Sequence, residues 1–231
     1  MEEMKAKDFR WFVLGYCALL LIGLAFRSDE TIGISADWKN GEYSYQAGSA
    51  PWAIGFAVVG AVLYLLLLVS RVVSSSRRMS HLFRRWVAGF IDFVWAMLIP
   101  TAFIGLAAVL SEYRRTGTFD WLVERQEQQA GDWFYAIVSV LLLMFVVAPS
   151  YFAISWWRGK PTPGSCIFNF RIVPDQGAQL PFWKAGLRAL LGSMALLAWP
   201  CWILAYWVKR DKSSGKFWLD AVFQTHAEFF E

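Results

Sequence analysis

Apolar residues in this chain gather into long runs separated by short polar stretches. Five such runs can be drawn, at 11–26, 51–70, 86–110, 133–157 and 185–208. A helix needs roughly 20 residues to cross a hydrocarbon core, and the short first run reaches that length with residues at its edges. A water-soluble core has no use for so many long apolar stretches. The pattern predicts an all-α polytopic membrane protein. Its elements are four transmembrane helices plus a fifth apolar segment, which either spans or turns back as a re-entrant hairpin.

The polar stretches assign sides. The segment before the first run carries Lys5, Lys7 and Arg10, and the stretch 71–85 carries Arg71, Arg77, Arg78, Arg84 and Arg85 with no acid. Loop 158–184 is basic again, through Arg158, Lys160, Arg171 and Lys184. Between them, 27–50 and 111–132 hold an excess of Asp and Glu. Positive loops stay in the cytoplasm, so the expected N-terminus is cytoplasmic, in a cell (inner or plasma) membrane, and the alternation holds through four spans. The fifth segment breaks it, because Lys209, Arg210, Lys212 and Lys216 follow directly. Either 185–208 crosses once against the rule, or it folds back near Trp199-Pro200, where proline disfavours continued helix.

Composition narrows the function. Apolar residues make up 57% of the 231, and charged residues only 17%, against about a quarter in a soluble domain. The net charge of +4 sits in membrane-flanking loops and not on an aqueous domain, so nucleic acid is not an expected partner. Cys17, Cys166 and Cys201 are far apart, with only His81 and His226 besides. That gives no metal-ligand spacing and no disulfide framework, and no metal or cofactor is expected. Run 11–26 lacks a clear small-x-small cleavage site and reads as an uncleaved anchor. The chain holds no HExxH, GxSxG or phosphate loop, so an enzyme is not expected. No internal repeat supports an inverted-repeat carrier.

Two polar pieces show strand character. In CIFNFRIV, between the turn signals Thr162-Pro163-Gly164 and PDQG, the residues Phe168, Phe170 and Ile172 fall on one face. The tail AVFQTHAEFF alternates as well, and could pair with it on the cytoplasmic surface if both share a side. Loop 27–50 reads as a polar interface loop, and 111–132 as a solvated outer loop with some helical character.

Asp92 is the unusual residue, an acid well inside the run RRWVAGFIDFVWAMLIP. Residues seven apart on a helix differ by about 20° and about 10.5 Å in height, so Arg85 and Asp92 share a face. Ala88, Ala96, Ile99 and Phe103 continue the stripe, whose small residues admit a close neighbouring helix. An intramembrane acid costs about 3 kcal/mol on insertion scales, so this face is expected to meet protein. Arg188, near the edge of the fifth segment, is a candidate partner for Asp92.

From Arg85 to Asp92, with Ala88 between, the chain resembles the first signature of the RDD membrane proteins, named for one arginine and two aspartates. The resemblance continues in order through TPG with Gly164, FRIVPDQG, WKAGLRALL and LDAVFQT, covering about 84–229. It makes Asp220 the second aspartate, with Thr225 five residues on. Two departures stand out: Ser165-Cys166 follows the TPG turn where a basic residue is usual, and Gln224 replaces the usual glycine before the final threonine. The chain is thus divided into an N-terminal helix pair, 1–80, and an RDD-like membrane domain, 81–231. What the resemblance implies is an integral membrane protein. One expectation is transport of an ion or small solute through an Asp92, Arg85 and Arg188 network. The other is a non-catalytic scaffold or assembly subunit. In either case the chain is expected to sit in the bilayer as a homo-oligomer or in a hetero-complex, since so few spans hardly enclose a pathway.

Overall fold

The structure, a computed structural model, describes residues 6–26, 32–39, 42–70, 76–79, 82–127, 138, 141–176, 179–197 and 218–229. Among these, three helices are long and apolar enough to cross a membrane: α1 (Ala6–Phe26), α2 (Pro51–Val69) and α3 (Leu82–Thr116). Pro51 opens α2, where its fixed φ suits a helix start and its missing N–H costs nothing. At 19 residues, α2 is about 28 Å long, close to the thickness of a hydrocarbon core. Inside α3, Pro100 cannot donate to the previous turn, and next to it the Thr101 hydroxyl donates to the Met97 carbonyl at 2.7 Å. The run 133–157 is described in part. A π-helical turn, Leu143–Val147, leads into the shorter apolar helix α4 (Ala148–Trp157).

Two three-stranded antiparallel sheets organise the polar segments. Strands β1 (Ile32–Lys39), β2 (Glu42–Ser49) and β4 (Leu122–Glu127) form one, in the order β1-β2-β4. Strands β3 (Ser76–Met79), β5 (Phe170–Pro174) and β6 (Thr225–Phe229) form the other, in the order β3-β6-β5. The first sheet joins the two acid-rich stretches, and the second joins the two basic loops to the tail. Helices α2 and α3 each lead from one sheet to the other in the chain. The alternation of charge along the sequence is therefore repeated as an alternation of sheets.

The expectation of strands in the cytoplasmic segments alone is corrected, because 27–50 and 111–132 also supply strands. α3 does run on to Thr116, which accounts for the helical character read there. Backbone pairing does not depend on a strongly apolar face, and a signal was present. Asn40-Gly41, a residue pair favoured in two-residue hairpin loops, lies between the paired Lys39 and Glu42.

Pairing of the loop strand with the tail strand is present, with Phe170 opposite Phe229 and Ile172 opposite Ala227. One face of the pair packs Phe170, Ile172 and Ala227 against Ala88 of α3. Because β5 and β6 are hydrogen-bonded neighbours, the chain between them starts and ends at the same sheet. The proposed turn at Trp199-Pro200, the basic cluster 209–216 and Cys201 lie outside the described residues.

Between those strands, α6 (Phe182–Leu197) is amphipathic in the inverted sense. Ala185, Arg188, Ala189 and Ser193 are buried, while Phe182, Trp183, Leu187 and Met194 are exposed. Large apolar groups outside and small or polar groups inside suit a helix whose surroundings are lipid.

The segment after α4, read as a cytoplasmic loop, turns inward instead. Pro161 to Ile167 are all buried, and within them α5 (Pro163–Ile167) shares a core with Phe9, Val13, Tyr16 and Leu20 of α1. Non-helical backbone at membrane depth is tolerated only when enclosed by protein, and α1 and α3 provide that enclosure. Tyr16 locks α1 to its neighbours: its hydroxyl donates to the Phe56 carbonyl at 3.0 Å, and its ring lies 4.2 Å from that of Trp95.

Candidate functional site

The three signature residues form two separate sites. At the start of α3, Arg85 reaches Asp220 in α7 (Trp218–Phe223) with two parallel bonds, Nη1 to Oδ2 at 2.6 Å and Nη2 to Oδ1 at 2.8 Å. Arg188 of α6 donates from Nη2 to the same Oδ1 at 2.6 Å and from Nε to the Thr225 hydroxyl at 3.2 Å. Its guanidinium lies 4.3 Å from the ring centroid of Trp156 in α4, a cation–π contact. Asp220 and Thr225 are 0% exposed. Burial alone would raise the Asp220 carboxyl. The charges and hydrogen bonds of Arg85, then of Arg188, outweigh it and hold the group below its ordinary 3.8. This cluster ties α3, α4, α6 and the tail together.

Gln224, between α7 and β6, has φ +52. That left-handed backbone is open to glycine at no steric cost, which is the physical reason a glycine is usual there. The turn directs Thr225 back toward Asp220, 3.3 Å from its Oδ1.

Asp92, 1% exposed, lies deeper on α3 and has entirely different partners. Its Oδ1 accepts from the Gly164 amide at 2.8 Å and the Tyr151 hydroxyl at 3.1 Å, and its Oδ2 accepts a short bond from the Thr162 hydroxyl. Each TPG residue has a separate task. Thr162 is the N-cap of α5, accepting from the Ser165 amide at 3.3 Å. Pro163 takes the first helical position, where no N–H is needed. Gly164 permits close approach: a Cβ there would stand 2.9 Å from the Asp92 carboxyl and closer still to the Ala88 carbonyl oxygen. Ala88, 1% exposed, floors this contact.

The expected pairing of Asp92 with Arg188, alongside Arg85, is corrected. Asp220 takes both guanidiniums at the level of Arg85, while the inward turn fills the space beside Asp92 with hydroxyls and an amide. Ala88 and Ala96 do face protein, at 1% and 3% exposure, but Phe103 is 43% exposed, so the stripe turns outward there.

Thr162 and Ser165 were legible only as part of a turn and of a departure from the family pattern, and Tyr151, Tyr64 and Trp156 were not singled out. Ser150, Tyr151 and Ser155 were the polar exceptions in the run APSYFAISWW, and that was the available signal. Tyr64 of α2 donates to the Tyr151 carbonyl at 2.8 Å, lies 3.0 Å from the Ser155 hydroxyl, and stacks on the Tyr151 ring at 4.4 Å. The uncharged pair after TPG fits its setting, since Ser165 and Cys166 are 5% and 0% exposed in the core shared with α1. A basic side chain there would need a partner or an exit. His226 stands 2.8 Å from the Asp175 carboxylate. Among the described residues, no group of three or more His, Cys, Asp or Glu could hold a metal ion.

A comparison with protein-family models matches residues 79–220, more than half of the chain, to the RDD family. No curated protein and no solved structure matches it. The match begins just before Arg85 and ends at Asp220, so it covers Asp92 with its partners and the Arg85–Asp220–Arg188 cluster short of Thr225, and leaves α1 and α2 outside. With its apolar helices, this chain is a membrane protein that belongs to the RDD family.

Proposed function

We propose that this protein is a small ion-coupled transporter in a cell membrane, and that Asp92 carries the ion. One observation supports the reading most directly: Asp92 is buried and, among the described residues, hydrogen-bonded by neutral donors alone. A buried carboxylate is normally neutralised by a basic partner, as Asp220 is. Asp92 gains most from a proton or cation that arrives and leaves. Intramembrane acids commonly have this role. In this reading the basic sheet and the N-terminus face the cytoplasm, four helices span, the fifth segment turns back, and the chain oligomerises to complete a pathway. No catalytic chemistry is assigned.

A second reading, a scaffold or assembly subunit, draws on the Arg85–Asp220–Arg188 cluster, which is built to hold elements together. The test separates the two. Wild-type protein and Asp92→Asn are reconstituted into liposomes containing a pH-sensitive dye, and sodium, potassium or proton gradients are imposed. Wild type should dissipate a gradient, and the folded variant should lose at least tenfold of that rate. Folded wild type with no flux, together with a stable hetero-complex from native membranes, would overturn transport in favour of the scaffold.

A further inference from the structure

We infer that Thr162 and Ser165 form a reversible hydroxyl pair that lets Asp92 gain and lose a proton without backbone movement, which makes the ion at this site a proton. The inference rests on the transport reading and deepens it.

The hydrogen-bond inventory carries the argument. The Thr162 hydroxyl has one proton and two acceptor positions. It lies in bonding geometry with two acceptors, Asp92 Oδ2 and the Ser165 hydroxyl, the latter at 3.0 Å. It also accepts from the Ser165 amide, leaving one acceptor position free. The Ser165 hydroxyl in turn donates to the Thr162 carbonyl at 2.9 Å, so it can accept a bond from Thr162 without losing its own.

Two arrangements are therefore fully satisfied. With Asp92 ionised, Thr162 donates to Oδ2. With Asp92 protonated, a proton from the aqueous phase forms an O–H bond on Oδ2 and neutralises the carboxylate. That O–H then donates to Thr162, whose own O–H rotates to Ser165. The Thr162 O–H exchanges its bond to Oδ2 for one to Ser165, every hydroxyl stays bonded, and no heavy atom need move. Throughout, Oδ1 keeps its bonds from Gly164 and Tyr151. The Gly164 amide N–H, fixed against Oδ1, occupies a direction that a metal cation would need for an oxygen ligand.

The charged and ionisable surroundings fit. Among the described residues, the other ionisable groups that feel the Asp92 charge are Cys17 of α1, Tyr64 of α2, Tyr151 of α4 and Cys166 of α5. None is a cation. Arg85 and Arg188 are bound to Asp220.

Infrared difference spectra of the full chain in lipid, recorded across pH, test the pair. The signal is the carboxylic-acid C=O band that Asp92→Asn removes. Ser165→Ala takes away the acceptor needed when Asp92 is protonated. The pH at which its band reaches half height should fall by about half to one pH unit. Thr162→Val removes the donor to the ionised form, whose charge-assisted bond is the stronger, so its midpoint should move the other way. Thr162→Ser should match wild type. Ser165→Ala alone, a mild change, keeps the test decisive if Thr162→Val fails to fold. An Asp92 band that titrates identically in wild type and Ser165→Ala would overturn the hydroxyl pair while leaving Asp92 as the carrier. Absence of any titrating Asp92 band would overturn both.

Discussion

Asp92 and Asp220 are equally buried and belong to the same family signature, yet the fold neutralises them in opposite ways. Asp220 receives two guanidiniums, one bidentate and one backed by a tryptophan ring. Asp92 receives two hydroxyls and an amide. The first arrangement fixes a charge permanently, because two guanidiniums hold the carboxylate ionised and its removal strands the buried Arg188. The second stabilises negative charge with dipoles and can also accommodate its loss. One aspartate is thus suited to holding the fold and the other to changing state.

The largest effect should come from breaking the fixed cluster. Asp220→Ala leaves the buried Arg188 guanidinium without its carboxylate and should cost about 3–5 kcal/mol, read as loss of thermal stability in detergent or as failure to accumulate folded protein. Asp92→Asn should behave differently. An amide oxygen can still accept from Gly164 and Tyr151, so its cost should stay within about 1 kcal/mol. Equal destabilisation by the two changes would remove the distinction between the sites.

Acid should also separate them. The Asp220 carboxyl is held below its ordinary 3.8 in the folded protein. A group lowered on folding contributes stability that is fully present above the unfolded value and is lost as pH falls through the folded one. The stability gap between wild type and Asp220→Asn should therefore be constant from neutral pH down to the ordinary carboxylate range, and narrow only below it. Unfolding midpoints at a series of pH values measure this. A gap that already closes between pH 7 and 5 would mean the arginines do not hold that charge.

Gly164→Ala probes the other site by packing alone. The added methyl meets the Ala88 backbone and the Asp92 carboxyl, and neither is the end of a flexible chain. Overpacking of this kind costs about 1–3 kcal/mol, and it should pull the inward turn off Asp92 before it affects the Asp220 cluster. Thermal unfolding gives the cost, and the infrared carboxyl band of Asp92 reports the displacement.

How much of this contrast could be read from sequence follows from the range of the forces involved. The apolar runs, the charge alternation and the strand character of β5 and β6 are local patterns, and all were legible, with the pairing of the two strands read only as conditional on a shared side. So was the importance of Arg85, Asp92 and Asp220, through their resemblance to a family signature. The pairing was not. Helical spacing puts Arg85 and Asp92 on one face, but partner choice depends on elements some 70 and 135 residues away in the chain, Thr162 and Asp220. The inward course of 161–167 was hidden as well, since a TPG turn between polar residues looks the same on a surface as in a core. α6 was legible as an apolar run, but its inverted amphipathicity needed the position of Arg188 beneath Trp156.

The smallest effect concerns the turn that delivers Thr225 to the fixed cluster. Gln224 has φ +52, a conformation that costs a residue with a Cβ roughly 1–2 kcal/mol. Its side chain is exposed, so replacing it sacrifices no buried packing. Glycine removes the steric cost but adds chain entropy to the unfolded state, worth about 0.5–1 kcal/mol. The balance favours Gln224→Gly by up to about 1 kcal/mol, visible as a modestly higher unfolding temperature. The gain belongs to the Asp220 side of the comparison, so it should leave the Asp92 carboxyl band and any flux unchanged. If stability fell instead, the strained glutamine would be contributing a contact of its own, and the tail's attachment would depend on more than the backbone turn and the arginines.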